Sequence, residues 1–255
     1  MKDGFFKFSF SAAGGLDIGK RRSSNQDKVI CCPDSFFFGV SDGMGGMPKG
    51  GETSECIAKD LPDIAAKLTG SYRGKPVDLK NLGEDFKNEI TSYSDKLFRD
   101  YNAGGDPLGG ATFCGVLLAD SSAVFVNLGD SRAYILKQGD QLPRQITEDH
   151  NLAAEYVRRG VLTKEQAKNH HSSSQLVRFM SMEPPAEPDC FVEELNPGDT
   201  ILLCSDGLYG MIDDNEIGRL LGSDKNPDRV CNSLIAAANK AGGRDNISVV
   251  LVVFH

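Results

Sequence analysis

No run of 18 apolar residues occurs in this 255-residue chain, so no segment is built to cross a bilayer as a helix. Near the start, FFKFSFSAA alternates apolar with polar residues and lacks the continuous apolar core of a signal peptide. The seven cysteines are odd in number and none forms a Cys-x-x-Cys pair, which speaks for reduced thiols and a cytoplasmic setting. Positive charge is in short supply: 28 Lys and Arg against 36 Asp and Glu leave a net charge of -8. That balance weighs against nucleic-acid partners and anionic membranes. Repeats and low-complexity tracts are missing as well.

The composition that remains is ordinary for a globular protein, 40% hydrophobic and 25% charged, and the length suffices for a substantial core. No shift in composition marks a boundary, so a single domain over residues 1–255 is expected. Phe6, Phe8 and Phe10 alternate with Lys7, Ser9 and Ser11, the pattern of a half-buried strand. Further strands are predicted over 28–32, 36–41, 111–119, 123–128, 133–137, 190–194, 200–204 and 247–254. Helices over 51–68 and 83–101 carry apolar residues three and four apart: Ile57, Leu61, Ile64 and Leu68, then Phe86, Ile90, Tyr93 and Leu97. Shorter helices fit 152–159, 164–169, 213–221 and 227–241, and 169–188 reads as a Ser- and Pro-rich surface excursion. Strands come in blocks joined by short turns, not in regular alternation with helices. That order predicts antiparallel sheets packed with helices, an α+β fold.

Certain acids recur in one local setting. FFFGVS runs into Asp42 and Gly43, VFVNLG into Asp130, and ILLCS into Asp206 and Gly207. Asp245 and Asn246 precede the last strand, and Asp27 closes RSSNQD before another. A carboxylate at the end of a buried strand is costly unless it is paired or bound to a metal. Five of them converging at one sheet edge would repel and could not all ionise without cations. Ligation by carboxylates, a backbone carbonyl and water suits Mg²⁺ or Mn²⁺. Two such ions close together can hold a hydroxide and clamp a phosphoryl group. One Ser-Asp-Gly is usually only a turn. Two of them, with a Gly-Asp-Ser-Arg and an Arg-Asp-Asn, form a far more specific pattern.

Seven segments carry a family resemblance: RRSSNQD (21–27), SDGMGG (41–46), GGATFCGVLL (109–118), LGDSRAYIL (128–136), ITEDHNLAAEYVRRGVLT (146–163), LLCSDGLYGMI (202–212) and GGRDNISVVLV (242–252). In this order they resemble the metal-dependent type 2C Ser/Thr protein phosphatases, in their compact bacterial form, from about Gly15 to Val253. The resemblance implies a four-layer αββα sandwich, two central antiparallel sheets flanked by helices. It implies hydrolysis of phosphoserine and phosphothreonine monoesters by direct attack of a metal-bridging water, with no phosphoenzyme. Expected partners are phosphorylated proteins, a Ser/Thr kinase and its targets, and the expected state is a monomer.

By the same resemblance, Asp27, Asp42, Asp206 and Asp245 carry the catalysis. Asp42 bridges two core Mn²⁺ or Mg²⁺ ions, the Gly43 carbonyl binds one, and Asp206 and Asp245 bind the other. Asp27 and Gln26 reach metal-held water. Asp130 joins Asp206 around a weaker third ion. Arg22 grips the substrate phosphate, for which a planar fork is suited. Residues 152–182 correspond to a flap beside the cleft. No cysteine is followed by the Cys-x₅-Arg arginine that a cysteine-based phosphatase uses.

The sequence departs from the family at Gln26, where many members have Glu, and at Met47, where many bacterial members have His. Arg132 is expected to be structural, paired with an acid below the site, and Asp149 to cap a helix. His150 is expected to anchor structure, and His170 and His171 to be solvated. Two other readings stay open. One is a non-catalytic binding module on the same fold, against which the intact Asp42, Asp206 and Asp245 speak. The other is a phosphatase acting on a small phosphorylated regulator.

Overall fold

The structure, a computed structural model, describes residues 5–104, 109–168 and 170–255. The chain runs β1 (Phe10–Asp17), β2 (Asp27–Cys32), β3 (Phe37–Asp42), α1 (Gly50–Tyr72), α2 (Leu79–Gly104), β4 (Phe113–Ala119), β5 (Ser122–Leu128), β6 (Arg132–Leu136) and β7 (Arg144–Gln145). It continues through α3 (Leu152–Arg158), α4 (Lys164–Lys168), β8 (Asp189–Glu194), β9 (Thr200–Cys204), α5 (Asp206–Tyr209), α6 (Asp214–Leu221), α7 (Pro227–Lys240) and β10 (Ile247–Phe254). One sheet has the order β1-β10-β9-β6-β7 and the other β2-β3-β4-β5-β8. Every pairing within them is antiparallel.

The layering follows from which strand residues are apolar. Successive strand side chains point to opposite faces. In β4, FCGVLLA, Cys114, Val116 and Leu118 pack between the two sheets, while Phe113 and Leu117 face α1 and α2. In β10, Val250, Val252 and Phe254 enter the space between the sheets, and Val249 and Leu251 face α6 and α7. Both faces are covered, so these strands read as continuous apolar runs. Ile57 and Leu61 of α1 and Phe86, Ile90 and Leu97 of α2 cover one sheet. Ile217 of α6 and Val230, Leu234 and Ala238 of α7 cover the other. Helix, sheet, sheet, helix is the αββα order expected.

One expectation changes. The Phe6–Phe10 alternation is not a ladder strand. Phe6 makes a single bridge to Asp120, and the Lys7 N–H donates to the Asp120 carbonyl at 2.7 Å. Continuous pairing begins only at Phe10, opposite Phe254. The rings still belong to the core, with the Phe6 centroid 5.7 Å from Phe8 and 5.7 Å from Phe254. The alternation therefore reports a packed face, not a hydrogen-bonded strand. The strand that does form, FSAAGGLD, has Ala and Gly where β-formers are usual. Its glycines allow close layers: a Cβ on Gly15 would stand 2.7 Å from Ile235. Asn169, expected to end a helix, lies outside the described residues.

Phe125 is wholly buried between the sheets. Phe125→Ala is expected to cost about 3–5 kcal/mol of stability, read as a lowered denaturation midpoint at fixed pH and metal concentration.

Candidate active site

Antiparallel order brings the start of β2, the end of β3, the β5–β6 turn, the end of β9 and the start of β10 to one edge of the sandwich. Asp27 and Asp42 face each other in register. Cys204 pairs with Val249, so Asp206 leaves β9 beside Asp245 as it enters β10. Asp130 lies in the turn between β5 and β6. Asp42 senses the charges of Asp27, Asp206, Asp130 and Asp245, so the five predicted acids do converge.

Backbone contacts hold them there. A Cβ on Gly43 would lie 2.6 Å from the Gly50 carbonyl, and the Gly43 N–H donates to the Gln26 carbonyl at 3.1 Å. A Cβ on Gly207 would lie 1.8 Å from the Asn246 carbonyl. Only glycine permits either approach. The Asp42 N–H donates to Thr112 Oγ1 at 3.0 Å, and its carbonyl accepts from the Thr112 N–H at 2.8 Å. Ser205 Oγ donates to Asp27 Oδ2 at 2.7 Å. The Asn246 side chain donates to the carbonyls of Ile18 and Ser24 at 2.9 and 3.0 Å and accepts from the Gln26 N–H at 2.9 Å. It thereby ties the Arg22 loop to the Asp245 loop. Sequence reasoning singled out neither Asn246, Ser205 nor Thr112. An amide directly after the acid of Arg-Asp-Asn was the one available signal.

Arg22 Nη2 donates to Asp245 Oδ2 at 2.5 Å, and the guanidinium is about half exposed, at 46%. This bond to Asp245 raises the Arg22 pKa further. The Gln26 side chain lies against Gly51, where a Cβ would be 3.3 Å from its Cγ. Met47 Sδ lies beside Gly110.

Electrostatics sets these carboxyls apart. Burial, then the repulsion of Asp27 and the other acids, pushes Asp42 well above the usual carboxylate range. Burial and Asp206 do the same to Asp130. Burial raises Asp27 against the hydrogen bond from Ser205. Burial and Asp245 push Asp206 up to about 7. Asp27 Oδ1 and Asp206 Oδ1 are buried and have no hydrogen-bond partner in the structure.

Below the acids, Arg132 forms a bidentate pair with Asp149 at 2.8 and 2.7 Å, as expected of a structural arginine. Asp149 is therefore not a helix cap. Asn151 has that role, accepting from the Ala154 N–H at 2.9 Å. His150 is buried; its Nδ1 accepts from the Gly129 N–H at 3.1 Å and its Nε2 lies 3.0 Å from Asp189. This fixes the neutral Nε2–H tautomer, and burial lowers its pKa. His150 thus anchors the Gly129 turn. His171 is exposed as expected, but His170 is half-buried, with its ring 4.2 Å from that of His171.

The donor set fits a hard divalent cation. It consists of oxygens, two of them unpartnered and buried, on acids whose burial and mutual repulsion outweigh the guanidinium at their rim. As the side chains stand, no three His, Cys, Asp or Glu among the described residues are closed into a ligand set, and Asp245 is held by Arg22 instead.

The family model for protein phosphatase 2C matches residues 19–236. The chain belongs to the protein phosphatase 2C family. It is similar to the serine/threonine phosphatase stp of Listeria monocytogenes, 36% identical over 215 residues that cover 84% of this chain and 82% of that protein. Its fold is similar to the serine/threonine phosphatase of S. agalactiae, with a TM-score of 0.82 and 29% identity over 97% of this chain and 100% of the other. It is also similar to the catalytic domain of PstP, solved in complex with two manganese ions, with a TM-score of 0.79 and 27% identity over 96% and 98% of the two chains. This 2C phosphatase is a metal-dependent enzyme that dephosphorylates serine and threonine in proteins. Among the described residues no helix is long and apolar enough to cross a membrane.

The raised acids predict how the metal-free phosphatase responds to pH. A carboxyl near 7 in the fold but near its ordinary value when unfolded keeps its proton only in the folded state as pH rises. Its stabilising contribution is present below the unfolded pKa and is lost as pH climbs through the folded value. In EDTA, the Tm is therefore expected to rise as pH falls from about 8 to about 6. Asp206→Asn should flatten that rise.

Proposed function

We propose that Asp42, the Gly43 carbonyl, Asp206 and Asp245 hold two Mn²⁺ or Mg²⁺ ions, and that Asp130 with Asp206 holds a weaker third. The observation that carries this reading is the pair of buried, unpartnered oxygens on Asp27 and Asp206 within five converging acids. The manganese pair in PstP supports the ion and its number. Bound cations supply an activated water and neutralise charge on the phosphoryl group.

The chain's own residues do the rest. Asp27 and Gln26, facing Asp42 and Gly51 respectively, orient water held at the carboxylates. Arg22, on the exposed rim, exchanges Asp245 for two phosphate oxygens and aligns the ester. Water attacks phosphorus, the bond to the serine or threonine oxygen breaks, and that oxygen takes a proton from water, since Met47 has none to give. Residues 152–182 act as the flap. The chain works as one catalytic domain, as a monomer in the cytoplasm. Its substrates are a Ser/Thr kinase and that kinase's targets.

With Mn²⁺, the protein is expected to hydrolyse p-nitrophenyl phosphate and a phosphothreonine peptide. EDTA and Asp206→Asn should each lower kcat at least about 100-fold. Turnover that survives EDTA would sink the ligand assignment. Wild type inert with every divalent ion would move the chain to the binding-module reading.

A further inference from the structure

Beneath the acid cluster lies a second constellation that the phosphatase chemistry does not use. The Arg132 guanidinium sits 3.6 Å from the centroid of the Tyr209 ring. Its Nε and Nη2 are taken by Asp149, and its Nη1 donates to the Tyr134 hydroxyl at 3.1 Å. A guanidinium fixed by bonds along its edges presents a fixed face, so the ring stacked on it has a fixed plane. The Tyr209 hydroxyl then donates to the backbone carbonyl of Asp130 at 2.8 Å.

The place of Tyr209 in the chain gives this bond its meaning. Tyr209 ends α5, a single helical turn whose first residue is Asp206. Asp130 lies in the turn that leads from β5 into β6, and β6 pairs with β9 with Arg132 opposite Cys204, so the ladder brings the Asp130 turn and the Asp206 end of α5 side by side. One side chain therefore spans the two segments that carry Asp130 and Asp206. The ladder fixes the strands two residues from each acid, and beyond its end the Tyr209 hydroxyl links the two segments that carry the carboxyls. Arg132 fixes the ring, and the ring's hydroxyl joins the Asp130 turn, which His150 anchors at Gly129, to the helical turn that Asp206 opens.

We propose that Tyr209 is a positioning residue, whose hydroxyl sets the spacing of Asp130 and Asp206 and so the affinity of the cation site these two carboxylates share. The inference rests on the reading of Asp130 and Asp206 as cation ligands given above. It assigns to one oxygen atom a property of the weakest metal site, and to Arg132 a part in it through the ring.

Tyr209→Phe removes that oxygen and keeps the ring, its packing and its stack on Arg132. Mn²⁺ is titrated by calorimetry into wild type, Tyr209→Phe, Asp130→Asn and the double variant, with circular dichroism to confirm the fold. Tyr209→Phe is expected to weaken the weakest Mn²⁺ step roughly 3- to 10-fold, the size of one hydrogen bond, and to leave the tighter steps in place. Asp130→Asn should abolish that step, and adding Tyr209→Phe to it should change nothing more. A Tyr209→Phe isotherm that superposes on wild type overturns the proposal. So does equal weakening of every step, or further weakening in the Asp130→Asn background, because both describe general loosening. Wild type that takes up no Mn²⁺ overturns the ligand reading itself, a result distinct from the others.

Discussion

Mutual repulsion among carboxylates buried at one sheet edge is the constraint around which this phosphatase is built. Asp42 has the charges of Asp27, Asp206, Asp130 and Asp245 around it. Left alone, such a group would swell, take up water or hold protons. The sandwich resists the first of these with three apolar clusters, one between the sheets and one on each outer face. The acids occupy strand ends, where the ladders fix the backbone but the side chains leave the apolar layers. The fold thus concentrates charge where its own core stops.

Local polar contacts finish what the core begins. Asn246 joins the loop of Arg22 to the loop of Asp245, Ser205 ties Asp27 to the end of β9, and Thr112 brackets Asp42 on both sides of its peptide. None of these residues carries charge. They orient acids without neutralising them, and so leave the field of the cluster intact for a cation. Arg132 illustrates the same rule from the other side: it lies below the cluster, yet Asp149 takes its charge.

Much of this was legible in the sequence. The acids could be found because each follows or precedes an apolar strand and is punctuated by glycine or asparagine, a local signal. Helices α1 and α2 could be found because their apolar residues recur at helical spacing. The misses have a common cause. Asn246 matters through residues 18, 24 and 26, more than 200 positions away, and no local pattern announces such partners. Strand β1 is held by its register with β10 and by close packing at Gly15, against its own propensity. The phenylalanines at 6, 8 and 10 show the reverse, a correct period with the wrong hydrogen-bonding.

The glycines of SDGMGG are not equivalent. Gly43 is closed to any side chain by the carbonyls of Gly50 and Gln26, and Gly207 across the site is closed by Asn246. Around Gly46, by contrast, a Cβ would meet nothing within 4 Å. The acid-bearing edge is therefore closed at its crossings and open at its loop tip. A side chain added at position 46 would reach into open space and leave the carbonyl crossings at Gly43 and Gly207 untouched, so the loop tip and the acid cluster can vary independently.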